Sequence, residues 1–409
     1  RNMAGFQLLD IQDYPGQGSA FVGILDAFME SKGITTPEEW RQWCSPVVPL
    51  LEMKKFCFED GENIQAKVKV ANYGGSSLKG KKLKWHLAAE NGLFCMDDGT
   101  FSTKDGEVRK NVGDLMAEDE GVLNIFSYDE GLVDVGELNG VFHVQKPTKL
   151  LLTLNIEGTE ARNSYELWIY PKKALEKKGV IIAKDLNEEV VKVLEKGGKV
   201  LWMPTASSHF VAADDKALQA DNSVLQADNT LSQADNATPY TVGGLFQTDY
   251  WNYRMFKTIC ENNKKKVSPG TLGILTNPEH PIFKGFPTEM HTNWQWFPVI
   301  KESHPLVLDN FAKDYRPIVQ VIDNIERNHK LGLVMEWKVG AGKLLVCMSD
   351  LEKASKYPEG KAFYQSVLNY MRSADFNPSV EITVDELKKK LAEKPRQVSL
   401  KELNNISQY

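Results

Sequence analysis

A multidomain chain of α/β plus β architecture is expected from three features of this sequence. The N-terminus holds one strand–loop–helix unit, the middle is a run of short alternating strands, and strands and helices alternate in the second half. A length of 409 residues suits two or three domains with ample core.

Residues 1–45 form the first unit. Gly5-Phe6-Gln7-Leu8-Leu9 reads as an apolar strand, and Ile11 to Ser19 as a polar, turn-rich loop. Phe21, Ile24, Leu25 and Phe28 fall at helical spacing, which predicts a helix from about Ala20 to Ser31 that Gly33 ends. Thr36-Pro37-Glu38-Glu39 opens a second helix, with Thr as N-cap and Pro in the first turn. A single βα unit cannot cover both faces of a parallel strand. The chain also begins inside this strand, without the regions of a signal peptide, so an upstream part is expected.

Residues 46–172 change to period-two patterning: Ile64 to Val70, Leu83 to Leu87, Gly140 to Val144 and Tyr165 to Tyr170, with Gly-rich turns such as Asn72-Tyr73-Gly74-Gly75. This predicts an antiparallel, immunoglobulin-like β-sandwich. Residues 173–376 then read as a doubly wound α/β domain. Its strands are Gly179 to Ala183 and Lys199 to Pro204, with an amphipathic helix from Leu186 to Lys196 between them. Gly332 to Trp337 and Gly342 to Met348 form a hairpin around a Gly-Ala-Gly turn, and a helix closes the domain at Phe363 to Arg372. Gln-Ala-Asp-Asn repeats three times within 218–238, amid Asp-Asn pairs that disfavour helix interiors, and reads as an expanded surface loop. The tail, 377–409, carries a charged helix at roughly Asp385 to Glu393, attached loosely or docked.

Composition excludes several roles. With 49 basic against 55 acidic residues, the chain is not a general cationic nucleic-acid binder. No run approaches the roughly 18 to 20 apolar residues of a membrane span. The five cysteines are scattered without C-x-x-C spacing, which argues against a zinc site or a dense disulfide framework. No metal or organic cofactor is indicated.

Two groups of residues could carry chemistry. Asp10, Gln12 and Asp13 follow a strand end, where sugar-binding and catalytic carboxylates gather in barrels; an Asp-rich capped turn is the alternative. Tyr250, Trp251, Tyr253, Trp294 and Trp296, with His291 beside them, could stack on sugar rings or pack in a core.

The blocks Gly5 to Gly18 and Leu25 to Gly33 resemble the last TIM-barrel strand and helix of β-galactosidase-like enzymes of glycoside hydrolase family 2. Asp249 to Phe256, Pro269 to Gly273, Asn293-Trp294-Gln295-Trp296 and Arg316 to Asn324 resemble their C-terminal region. The resemblance covers most of residues 1–376, the repeat excepted. It implies a glycan substrate, an upstream catalytic barrel in the same protein, a bacterial periplasmic or extracellular location, and hydrolysis of a terminal glycosidic bond by two glutamates. Those glutamates would lie upstream, so no catalytic residue of this chain is assignable. Asp10, Gln12, Asp13, Trp251, Tyr253, His291, Trp294 and Trp296 would be substrate contacts. The α/β domain resembles class I glutamine amidotransferases, but the candidate elbow Pro204 to His209 has no Gly-x-Cys-x-Gly and Cys347 has no elbow, which implies a degenerate scaffold. A stand-alone carbohydrate-binding or scaffold protein is the alternative, and homo-oligomerisation is compatible with either.

Overall fold

The computed structural model describes residues 6–8, 10–14, 22–96, 116–126, 130–204, 211–212, 239–246, 262–263, 270–324 and 327–395. The chain divides into two compact units, Arg1–Lys172 and Lys173–Tyr409. Among the described residues it is rich in β-strands with few and mostly short helices.

The first unit opens differently from the βα pattern. Residues 6–8 form no strand, and Phe6 and Leu8 are exposed. Residues 22–31 form turns and bridges instead of the expected helix: Leu25 pairs with Gln12 and with Ser31. The cause is local. Asp26 Oδ1 accepts from the backbone N–H groups of Phe28 (2.8 Å) and Glu30 (2.9 Å), and Met29 takes a positive φ of 66°. Such a side-chain turn competes directly with helical hydrogen bonding. Helix α1 (Pro37–Arg41) does form, under a capping box in which Thr36 Oγ1 accepts from Glu39 N–H and Glu39 Oε2 accepts from Thr36 N–H.

The rest of this unit is a two-sheet sandwich. Its strands are β1 (Val47–Glu52), β2 (Cys57–Glu59), β3 (Asn63–Asn72), β4 (Lys82–Ala89), β5 (Phe94–Met96), β6 (Glu118–Asn124), β7 (Gly131–Val144), β8 (Thr148–Ile156) and β9 (Arg162–Tyr170). They pair in the orders β1-β3-β7-β5 and β2-β9-β8-β4-β6. All pairs are antiparallel except β2 with β9, which run parallel. Period-two patterning makes the core: Ile64, Ala66, Val68 and Val70 of β3 are buried, as are Leu150, Leu152, Leu154 and Ile156 of β8. Each fully buried Leu, Ile or Val contributes about 1.5–3 kcal/mol.

The second unit holds a mixed sheet. β10 (Ile181–Ala183), β11 (Lys199–Trp202) and β18 (Gly342–Cys347) are parallel neighbours, and α2 (Glu188–Glu195) connects the first two. Gly342 is required where β18 passes α2: a Cβ there would lie 2.4 Å from the Leu194 carbonyl oxygen. β12 (Val211–Ala212), β13 (Tyr240–Thr241), β14 (Thr271–Thr276), β15 (Leu306–Val307), β16 (Val319–Asp323) and β17 (Lys330–Val339) complete most of the sheet. β17 is antiparallel to β18, β16 and β15, and β16 is antiparallel to β14. The expected doubly wound sheet is therefore replaced by a mixed one. The Gly340-Ala341-Gly342 turn is too short for a parallel crossover, which needs about a dozen residues.

β17 is paired along both edges. Val334 faces both Cys347 of β18 and Val319 of β16, so these neighbours lie on opposite edges. α3 (Phe297–Lys301), α4 (Leu351–Ala354) and α5 (Pro358–Arg372) precede a last strand and helix, β19 (Glu381–Ile382) and α6 (Val384–Ala392). β19 pairs in parallel with Lys338 and Val339 of β17, and α6 buries Leu387 and Leu391. Of the two attachments open for the C-terminal helix, the structure has it docked, and 377–392 is part of the unit. The Gln-Ala-Asp-Asn repeat, Trp251, Tyr253 and residues 205–209 lie outside the described residues.

Candidate functional site

A cleft of about 350 Å³ opens in the second unit. It sits over an interruption in one edge of β17, where β16 pairs as far as Val334 and β19 begins at Lys338. Glu336 lies in that interruption. Its backbone N–H donates to the Tyr315 hydroxyl (3.2 Å), which donates in turn to the Glu336 carbonyl (3.1 Å). The Tyr315 ring is stacked on Trp337, with centroids 5.1 Å apart and planes at 14°. Burial pushes the Tyr315 hydroxyl pKa far up, so it remains a donor. The Lys338 N–H donates to the Val380 carbonyl (2.8 Å), which places Ser379 and Val380 on the cleft wall.

The Glu336 side chain is half-buried, and its Oε2 accepts from the Tyr370 hydroxyl at 2.7 Å. Burial raises the carboxyl above the usual range, opposed by the Tyr370 hydrogen bond and the Lys343 charge. His280 stands on the other side of Tyr370, ring to ring at 5.2 Å. It caps the turn Pro281–Phe283, with Nδ1 accepting from Ile282 N–H (3.3 Å). The neutral ring consequently carries its proton on Nε2, and burial lowers the His280 pKa.

Arg316 is exposed at the cleft, its Nη1 donating to the carbonyls of Lys313 (2.9 Å) and Tyr315 (3.1 Å). Gln320, on β16, Ser379, Thr276 and Asn277 complete the polar lining, while Leu275, Pro317, Ile318 and Val380 supply apolar surface. Five polar groups here have no hydrogen-bond partner among the described residues: Glu336 Oε1, His280 Nε2, the Nε and Nη2 edge of Arg316, the Gln320 amide and the Ser379 hydroxyl. A concave site with a few convergent polar groups beside apolar surface suits a small polar ligand. Glu336 is the single carboxylate among the residues lining it. Glycoside hydrolysis by the common two-carboxylate route needs a second.

The residues singled out from sequence lie elsewhere. Asp13 is buried, and its carboxylate accepts from Gly23 N–H (2.8 Å) and Lys32 Nζ (2.9 Å), so it ties the N-terminal turns together and is not open to a sugar. The Lys32 bond holds its pKa low. Asp10 and Gln12 are half-buried on the same segment. Trp294 and Trp296 occupy one short 3-10 turn but face apart: Trp294 is 59% exposed and Trp296 0%. Trp296 packs against Phe283, Phe286 and Phe363 and donates its Nε1–H to Thr288 Oγ1 (2.8 Å), which leaves no ring face for a sugar. His291 is exposed and forms a bridge with Leu275, which itself lines the cleft, but His291 is not among the lining residues.

Cys347 is fully buried, and burial pushes its thiol up to about 12, which leaves little thiolate at neutral pH for nucleophilic attack. Among the described residues, no cluster of three His, Cys, Asp or Glu could hold a metal ion, and no helix is long and apolar enough to cross a membrane.

Known proteins give limited company. No curated protein matches the chain. A cohesin module from a family 33 glycoside hydrolase of Clostridium perfringens is 11% identical, with 30% of this chain and 96% of that one covered and a TM-score of 0.22. A conjugate transposon protein of Bacteroides vulgatus is 15% identical, covering 30% and 83%, at a TM-score of 0.20. The sporulation control protein Spo0M of Bacillus subtilis is also 15% identical, covering 31% and 49%, at 0.17. Residues 107–171 match a family described as Domain of unknown function (DUF8488). Residues 181–392, from the first residue of β10 to the last of α6, match a second such family. Because that match takes in just over half of the 409 residues, the chain belongs to the family described as Domain of unknown function (DUF8487).

Proposed function

We propose that this chain is the largely non-catalytic, glycan-binding C-terminal part of a β-galactosidase-like glycoside hydrolase of family 2 type, and that the cleft of its second unit is the sugar site. The observation that carries the reading is the cleft lining: five polar groups without a partner among the described residues, one of them on the single carboxylate, and an apolar wall. Such a lining can bind a sugar without cleaving it. In this reading residues 46–172 are an immunoglobulin-like sandwich, and 173–376 descend from an amidotransferase-like domain whose nucleophile is lost. The motif blocks Gly5 to Gly18 and Arg316 to Asn324, which resemble parts of family 2 enzymes, support the glycoside hydrolase reading. The parent enzyme acts on terminal glycosidic bonds outside the bacterial cytoplasm.

Titration of the intact chain with monosaccharides and short oligosaccharides by calorimetry tests the reading. Binding that weakens at least tenfold in Gln320→Ala supports it, and absence of binding to every sugar tried defeats it. The intact mass in the source cells separates it from a stand-alone binding protein. A mass far above 46.1 kDa indicates the upstream barrel.

A further inference from the structure

We propose that the cleft selects a carboxylate-bearing sugar, a uronate, whose carboxylate is held by Arg316 and whose hydroxyls meet Gln320, Ser379, His280 and Glu336. The inference rests on the glycan-binding reading and narrows it to one class of sugar.

The geometry at Arg316 points to a carboxylate. Its Nη1 is already committed to the Lys313 and Tyr315 carbonyls, which fixes the plane of the guanidinium at the cleft. What remains is the Nε–Nη2 edge, two parallel N–H donors without a partner among the described residues. This edge matches the two oxygens of a carboxylate in a bidentate pair, the strongest and most directional hydrogen bonding an arginine makes. The neighbouring acidic residue, Asp314, forms no ion pair with Arg316.

The remaining lining is suited to the body of a sugar. Gln320 offers both a donor and an acceptor, Ser379 a hydroxyl, and His280 an Nε2–H. Pro317, Ile318, Leu275 and Val380 give the apolar surface that a pyranose face needs. The Arg316 guanidinium is exposed at the cleft, whereas the Glu336 carboxyl is half-buried with its Oε2 already engaged by the Tyr370 hydroxyl at 2.7 Å.

Calorimetric titration of the intact chain with glucuronate, galacturonate, the neutral sugars glucose and galactose, and acetate tests the proposal. Uronates are expected to bind at least tenfold more tightly than either the neutral sugars or acetate. Arg316→Gln is expected to abolish that preference, so that uronates bind no more tightly than glucose or galactose. Arg316→Lys, which keeps the charge but lacks the fork, is expected to lose most of it. Thermal melting of both variants checks that they fold, and the exposed position of Arg316 makes this the expected result. Equal affinity for uronates and neutral sugars, or a preference unchanged in Arg316→Gln, overturns the uronate inference and leaves the glycan reading standing. Acetate binding as tightly as uronate, or no sugar binding at all, overturns both.

Discussion

Tyr315 does with one hydroxyl what a neighbouring strand would do for Glu336. Its oxygen accepts from the N–H and donates to the carbonyl of a residue that neither β16 nor β19 reaches. Tyr315→Phe leaves both backbone groups unpaired in a half-buried site. It is expected to lower unfolding free energy by about 1–3 kcal/mol in urea titration, with the m-value unchanged. Glu336 adds a pH dependence. Its carboxyl pKa is raised in the fold, so the favourable contribution of the protonated form is complete below the ordinary value of 4.5 and is lost as pH rises through the folded value. Glu336→Gln imitates the protonated form at every pH. It is expected to raise the melting temperature at pH 7 and to have little effect at pH 4; a gain independent of pH would contradict this. These residues left weak traces in the sequence. Glu336 is a lone acid in the apolar run Gly332 to Trp337, and Arg316 and Gln320 fall in a block, Arg316 to Asn324, whose one signal is a family resemblance. Asp10, Gln12 and Asp13 drew notice because polar residues were dense there, yet for Asp13 that density serves a buried tie to Gly23 and Lys32.

Strands and caps were the most legible elements, because their signals are local. The alternation in β3 and β8 is the burial pattern itself, and Thr36 caps α1 as its sequence specifies. Thr383 is a second such cap, accepting from Glu386 N–H at 3.1 Å. Thr383→Ala is expected to cost about 1 kcal/mol. Because α6 follows the Ser379–Val380 wall, the same variant should also weaken any ligand held by the cleft. The segment 22–31 was misleading for a physical reason. Ile24, Leu25 and Phe28 have helical spacing, but periodicity stabilises a helix only when one face is buried, and Phe28 is 84% exposed. Without that burial the Asp26 turn wins. The hairpin expected at Gly332 to Met348 is present, and it already made the sheet a mixed one: two residues, Gly340 and Ala341, separate β17 from β18, and so short a link requires antiparallel pairing.

The two compact units each contain a core of their own, one between the sandwich sheets and one around Trp296, Trp337 and the parallel strands. Expressed separately, residues 1–172 and 173–409 are each expected to unfold cooperatively, followed by tryptophan fluorescence and circular dichroism. A fragment without a cooperative transition would show that its core depends on the other unit. The cleft was not legible from sequence because its lining comes from β14, the turn after it, β16 and the segment before it, β17 and the segment before β19, which meet only through the sheet. The same connectivity bears on how the protein is made. β11 emerges early in the second unit, yet one of its two neighbours is β18. On the ribosome, β10 and β11 must therefore wait, with a buried edge exposed, until Gly342–Cys347 has been synthesised. Nascent chains halted before that point should remain sensitive to protease at β11, and those halted well beyond it should be protected.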